Sequence, residues 1–333
     1  MRRAACLITA LLLLCAACAQ AAAPARLQFL AMDTFMSLTA YGPEAEAALT
    51  AIRAEAEALE GLISVTRPES ELARLNAGQR IALSPATRAL LGRSLEMCAR
   101  TSGLLDITLY PVLSAWGFTQ SVQAVPDAET LRTLLPLVDY RAIRLEGDAL
   151  ALKGGMMLDL GSTAKGFMGD RGADILAQHG VQSAILDLGG DVRAVGTKPD
   201  GSPWTVAIAD PQREGGLLGQ ITLADGAIVT SGSSERFFEQ NGVTYWHILD
   251  PRTGAPARSG LLSVSVVGSS GMLCDGLSTA LFVMGREGAL AHWAQHRDFD
   301  LVLVTDTGTV VITPGLEGRF TLLDVGYTLE VAS

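Results

Sequence analysis

Cysteine is scarce in this 333-residue chain once its first twenty residues are passed: only Cys98 and Cys274 remain of the five. They stand far apart, both in helical patterns, which argues against a disulfide framework and against a cysteine metal site. A basic excess is also missing. The chain carries 25 Lys and Arg against 35 Asp and Glu, a formal charge of −10. Nucleic acid demands a basic face, so that partner is not expected, whereas a divalent cation is compatible with the charge. No later apolar run is long enough for a spanning helix. No internal repeat or low-complexity tract follows the Ala-rich junction at 19–25, and no linker splits the chain. Aromatics make up 5% and histidines number four, so a histidine or an aromatic pair in a turn stands out.

What is present begins with Arg2 and Arg3, an apolar run from Ala4 to Ala17, and then small residues. That order reads as a secretory signal over residues 1–19. Two readings of its end stay open. Cleavage follows Ala17-Cys18-Ala19, or Cys18 is the lipidated first residue of a lipoprotein, with Cys15 where an aliphatic residue is usual. Either way the mature protein is expected outside the cytoplasm: in the periplasm, and in the second reading held to the inner membrane by lipid alone.

Periodicity predicts a strand over Leu27–Tyr41 and a helix over Glu44–Ile63. Ser84-Pro85 opens a helix to about Thr101, and Asp127 caps one through Leu137. Residues Ile143–Leu152 alternate around Gly147-Asp148 as a hairpin. Ser162–His179 and Met272–Met284 read as helices. Strands are expected at Ser183–Leu188, Thr205–Ala209, Leu218–Leu223, Ala227–Thr230, Leu261–Val267, Leu301–Thr305 and Thr309–Thr313. Helices and strands mix without regular βαβ alternation, so the fold class is α+β rather than doubly wound.

Several segments have the chemistry of a site, each beside a plainer reading. Tyr245-Trp246-His247-Ile248-Leu249-Asp250-Pro251-Arg252-Thr253-Gly254 sets a proton-carrying histidine at a strand end running into an Asp-Pro turn. It is equally a hairpin corner capped by Asp250. Asp159-Leu160-Gly161-Ser162-Thr163-Ala164-Lys165-Gly166 leads a strand into a helix N-terminus, a natural anion site, with Lys165 poorly placed for the helix dipole unless it serves a ligand. An ordinary strand-to-helix turn would look the same. Asp275 and Thr279 lie one helical turn apart, with Ser278 adjacent, as oxygen ligands for Mg²⁺ would; Asp275 could instead cap or face solvent. Trp116-Gly117-Phe118 could stack on a flat ring or fill a core. Gly189-Gly190-Asp191 permits a tight turn or close approach, and Ser231-Gly232-Ser233-Ser234-Glu235-Arg236 could hold a phosphate or bend the chain.

The order of these segments is specific. Met32-Asp33-Thr34, Asp106-x-Thr108 with Trp116-Gly117-Phe118, Asp159 to Gly166, Leu188-Gly189-Gly190-Asp191, Thr230-Ser231-Gly232, His247-x-x-Asp250-Pro251-x-Thr253-Gly254 and Asp275-x3-Thr279 follow one another as in the ApbE family, FAD:protein FMN transferases formerly described as thiamine-biosynthesis lipoproteins. The chain resembles that family across residues 29–325. The resemblance implies an ApbE-like, T-fold-like α+β domain over residues 27–326, with mixed and antiparallel sheets and packed helices. It implies an enzyme that binds FAD and Mg²⁺, releases AMP, and links FMN through a phosphodiester to a Thr or Ser hydroxyl of an acceptor flavoprotein. Family acceptors include subunits of NADH:quinone reductase and Rnf-type complexes. By position, the Ser162 carbonyl, Asp275 and Thr279 fall on the metal site, with Ser278 beside them. Met32, Trp116, Gly117, Phe118, Asp159, Lys165 and Leu249 fall where the family contacts FAD, and His247 falls at the general base. Three places depart from the family pattern. Thr66 stands where a flavin-covering Tyr is frequent, Asp33 stands for Gly in Met-Gly-Thr, and Ser233-Ser234 replace Asp-Tyr before Glu235-Arg236. An FAD pyrophosphatase that passes FMN to water, and a non-catalytic flavin-binding protein, are the competing expectations.

Overall fold

The computed structural model describes residues 23–333 apart from 121, 145, 146 and 148. The expected signal over residues 1–19, with Cys18, lies outside them. Nine strands form the main sheet: β1 (Ala25–Ala31), β2 (Thr34–Tyr41), β3 (Ser183–Leu188), β4 (Val192–Val195), β5 (Gly226–Gly232), β6 (Leu261–Gly268), β7 (Phe299–Thr305), β8 (Thr309–Ile312) and β9 (Thr328–Val331). They neighbour one another in simple chain order. Every pair is antiparallel except the last, β8 with β9. Among the described residues seven α-helices accompany the sheet: α1 (Ala45–Ile63), α2 (Glu71–Asn76), α3 (Pro85–Arg100), α4 (Tyr110–Trp116), α5 (Ala128–Leu134), α6 (Gly161–Gln178) and α7 (Gly271–His296).

The sheet is covered on both faces, and side-chain alternation divides the core accordingly. Leu301 and Leu303 of β7 belong to one cluster with residues of α1, α6 and α7. Val302 and Val304 point to the other, where Trp204, Val206, Leu218 and Ile221 of a small sheet close the opposite face. That double burial is why β7 reads as an unbroken apolar run rather than as alternation. Ser84 caps α3 by accepting from Thr87 N at 3.3 Å, and Asp127 caps α5 by accepting from Thr130 N at 2.7 Å, as the sequence implies.

Three elements differ from expectation. The single strand expected over Leu27–Tyr41 is the β1–β2 hairpin, turning through Met32 (φ 52°) and Asp33 (φ 57°). Short polar side chains such as Asp tolerate this left-handed backbone, so Asp33 can stand at a position suited to glycine. The hairpin expected over Ile143–Leu152 falls partly on residues not described, and its second half, Ala149–Leu150, pairs instead with Ile81–Ala82. The helix expected over Met272–Met284 runs on to His296, broken only where Gly285 takes φ 74°. No helix among the described residues is long and apolar enough to cross a membrane.

Candidate active site

Two helices cross where the chemistry collects. A Cβ on Gly166 of α6 would lie 2.3 Å from Gly271 O and 2.6 Å from Asp275 Cβ, so the approach of α6 to α7 requires glycine there. This closeness lets the Gly166 amide donate to Asp275 Oδ2 at 2.8 Å. In a regular helix that amide would close onto the carbonyl of Ser162, four residues back. Asp275 therefore stands beside the Ser162 carbonyl. Asp170, one turn further along α6, fixes the start of α7: it accepts from Ser270 Oγ at 2.6 Å, Gly271 N at 2.7 Å and Met272 N at 3.1 Å.

Acidic groups gather around one amine. Lys165 Nζ lies 2.7 Å from Asp191 Oδ1. Burial opposes the charge on Lys165, but Asp191, Asp275 and Glu235 outweigh it and raise its pKa. Asp191 and Asp275 are each 4% exposed. Burial, together with the facing Asp191 carboxyl, pushes Asp275 well above the usual carboxylate range. Asp191 is also raised by burial, with Lys165 working against the shift. Glu235 is raised by burial to about 7, although the residue as a whole keeps solvent contact. Behind Asp275, Ser278 is fully buried; its hydroxyl bonds Asp275 O at 2.9 Å and Ser231 Oγ at 2.8 Å. Ser278 thus braces the helix. Thr279, partly exposed, lies 3.4 Å from Ser231 Oγ through its own hydroxyl.

His247 lies at the root of the hairpin formed by Phe237–Gln240 and Val243–Trp246, where its amide donates to Arg236 O at 3.0 Å. Its Nδ1 is buried and has no hydrogen-bond partner among the described residues. Burial, then the charge of Arg236, lowers its pKa to about 4, so the imidazole is neutral at physiological pH. Asp250 is not its partner: that carboxylate holds Arg252 at 2.7 Å across the turn. The hairpin corner read from the sequence is real, since Leu249–Asp250 pairs with Ala255–Pro256.

The other expected residues fall at different depths. Trp116 is 2% exposed within an apolar cluster that includes Leu249, itself 3% exposed. The Trp116 indole N–H donates to Gly254 O at 2.7 Å. Both residues lie within that buried cluster. Gly117 is buried, ending α4 with φ 77°. Phe118 keeps a partly exposed ring, edge-on to His247 at 6.4 Å. Asp159 accepts from Gly161 N at 2.8 Å at the start of α6, and burial raises its pKa, with Arg236 opposing and Asp33 adding to the shift. Met32 is anchored by its amide to Glu60 Oε2 at 3.1 Å, and Arg67 binds the other oxygen of Glu60 at 2.5 Å, which ties the loop carrying Thr66 to the Met32 turn. A Cβ on Gly189 would lie 2.1 Å from Thr34 Oγ1, so the Met32-Asp33-Thr34 and Gly189-Gly190-Asp191 segments pack directly together.

Sequence reasoning gives no role to Asp191 and Glu235 in this cluster. The only local signal was an acid directly after Gly-Gly for the first, and an acid beside Arg236 for the second.

Residues 32–303 match the model of the ApbE family. The FAD:protein FMN transferase of Treponema pallidum (strain Nichols) is 32% identical over 307 residues, spanning 86% of this chain and 85% of that protein. The FAD:protein FMN transferase of Vibrio cholerae is 35% identical over 236 residues, 69% of this chain and 71% of the relative. Among solved structures, the ApbE protein of Thermotoga maritima superposes with a TM-score of 0.84 at 28% identity, covering 89% of this chain and 99% of its own. The flavin transferase ApbE from Vibrio cholerae gives 0.80 at 29% identity, with the same coverage.

Proposed function

Because the chain belongs to the ApbE family, we propose that it is an FAD:protein FMN transferase working outside the cytoplasm, dependent on Mg²⁺, with a Thr or Ser hydroxyl of an acceptor flavoprotein as its second substrate. The observation that carries this reading is the buried Asp275 carboxyl, bonded to the Gly166 amide beside the Ser162 carbonyl and next to Lys165. That set suits a hard divalent cation, which takes oxygen ligands and usually shares them with substrate phosphates. Ser162, Asp275 and Thr279 would hold it, and the cation when bound would offset charge developing on the pyrophosphate.

The chain's own groups supply the rest. Lys165, kept charged by its carboxylates, attracts pyrophosphate oxygens, and the positive end of the α6 dipole favours the same negative charge. Met32 and the Phe118 ring offer partly exposed apolar surface for the isoalloxazine. His247, neutral and partly exposed, can take the proton from the acceptor hydroxyl, which is too weak a nucleophile unaided. The apolar cluster behind Phe118 keeps water from this side of the site.

Purified protein incubated with FAD, Mg²⁺ and the FMN-acceptor subunit of an NADH:quinone reductase tests the reading. Covalent flavin on the acceptor with AMP release is expected. AMP and free FMN without an adduct would replace it with the pyrophosphatase reading, and intact FAD with simple flavin binding.

A further inference from the structure

Asp191 is placed more deliberately than an ion-pair partner needs to be. It follows the Gly189-Gly190 turn at the mouth of β4, and its own carbonyl accepts from Leu188 N at 2.9 Å, so its backbone is fixed by the sheet. One carboxyl oxygen, Oδ1, holds Lys165 Nζ at 2.7 Å. The other, Oδ2, is buried and has no hydrogen-bond partner among the described residues. The Asp275 carboxyl is near enough for the charge of Asp191 to raise its pKa. Two carboxylates are both acceptors, so they cannot satisfy one another unless a proton or a cation stands between them.

The charges point the same way. Two deeply buried carboxylates, Asp191 and Asp275, share a single ammonium, that of Lys165. Lys165 pairs directly with Asp191, so without a cation the second buried acid, Asp275, is a cost, since an uncompensated buried charge destabilises. The hydroxyls of Thr279, Ser231 and Ser278 stand on the Asp275 side, and none of them donates to Asp191.

We propose that Asp191 is a second carboxylate of the divalent-cation site, turning Oδ2 toward the cation or its water shell while Oδ1 positions Lys165. This rests on the cation reading of Asp275 given above and extends it. Asp191 is a positioning residue toward Lys165 and a charge partner toward the metal. Its single carboxyl thereby couples the amine that meets the pyrophosphate to the ion that meets the same pyrophosphate.

The test is Mn²⁺ binding to flavin-free protein, followed by the electron paramagnetic resonance signal of free Mn²⁺, for the native chain and for Asp191→Asn, Asp191→Ala and Asp275→Asn. Asparagine keeps the shape of the side chain, and its NH₂ can donate to Asp275, so Asp191→Asn is expected to fold with an unchanged or higher melting temperature in EDTA. The proposal expects one Mn²⁺ site in the native protein, lost in Asp275→Asn and weakened at least tenfold in Asp191→Asn and Asp191→Ala. In FAD turnover the Mg²⁺ concentration at half-maximal rate should rise by a similar factor in Asp191→Asn. Mn²⁺ affinity within twofold of native in both Asp191 variants would overturn the role of Asp191 while leaving the Asp275 site standing. Failure of the native protein to bind Mn²⁺, or undiminished binding in Asp275→Asn, would overturn the cation site itself and this inference with it.

Discussion

The amide of Gly166 donates to Asp275 Oδ2 at 2.8 Å across the crossing of α6 and α7, joining two residues 109 positions apart in the chain. This contact needs the missing side chain, because any Cβ at 166 would strike Gly271 O and Asp275 Cβ. Gly166→Ala must therefore push the helices apart. Overpacking of this kind costs about 1–3 kcal/mol. The variant should melt earlier, and its Mn²⁺ binding should weaken because Asp275 moves off the Ser162 carbonyl. Chemical denaturation and metal binding read the two effects, and native values in both would remove the steric argument.

Asp275→Asn separates function from stability. Asp275 is held well above the usual carboxylate range by burial and by the facing Asp191, so its charge opposes folding when no metal is bound. Replacing it with an amide removes that repulsion. Turnover of FAD should fall by at least ~10²-fold, the scale of losing one electrostatic stabiliser. The melting temperature in EDTA should meanwhile hold or rise. A large loss of stability in EDTA would mean that Asp275 is a structural carboxylate.

The local elements of this fold are readable from sequence because their signals are local. Ser84-Pro85 and Asp127 cap helices by reaching three residues ahead, and Gly180 (φ 69°) ends α6. The motif segments were legible as neighbours only through their order. Their contacts are long-range: Gly189 meets Thr34, Ser231 meets Ser278, and Met32 meets Glu60. No periodicity encodes such pairs. The same holds for the cap on α7, where Asp170 reaches Gly271 from another helix, and for the Lys165–Asp191 ion pair. One local signal goes unused among the expected strands. Asn241-Gly242, both with positive φ, is the turn of the hairpin whose root carries Arg236 and His247. Trp116 shows the opposite limit: its composition suits a stacking platform or a core equally, and only the fold shows it buried in an apolar cluster.

Trp116→Phe tests that assignment. The ring would still fill the cluster with Phe238 and Tyr245, but Gly254 O would lose its indole donor. A lost hydrogen bond with a buried acceptor left over costs about 1–3 kcal/mol. The Pro251–Gly254 turn should loosen, so stability should drop by that amount while the Mg²⁺ requirement stays unchanged. A fall in FAD affinity beyond tenfold without loss of stability would instead place the indole against the flavin.

His247 carries the last expectation, in its dependence on pH. Its folded pKa is lowered to about 4 by burial and by Arg236, against about 6.5 when unfolded. Between these values the unfolded chain binds a proton that the folded one does not, so stability from neutral His247 is full above about 6.5 and is lost as pH falls toward 4. The same shift keeps the imidazole unprotonated and able to accept a proton well below neutrality. His247→Ala should slow transfer to the acceptor by ~10²–10⁴-fold while FAD binding stays near native. In the native protein the acid limb of kcat/KM for the acceptor that belongs to His247 should lie near pH 4 rather than near 6.5. Arg236→Gln removes one charge that holds the pKa down, so it should move that limb upward. Transfer that is unchanged in His247→Ala would sink the general-base role, and an acid limb unmoved by Arg236→Gln would assign the limb to another group.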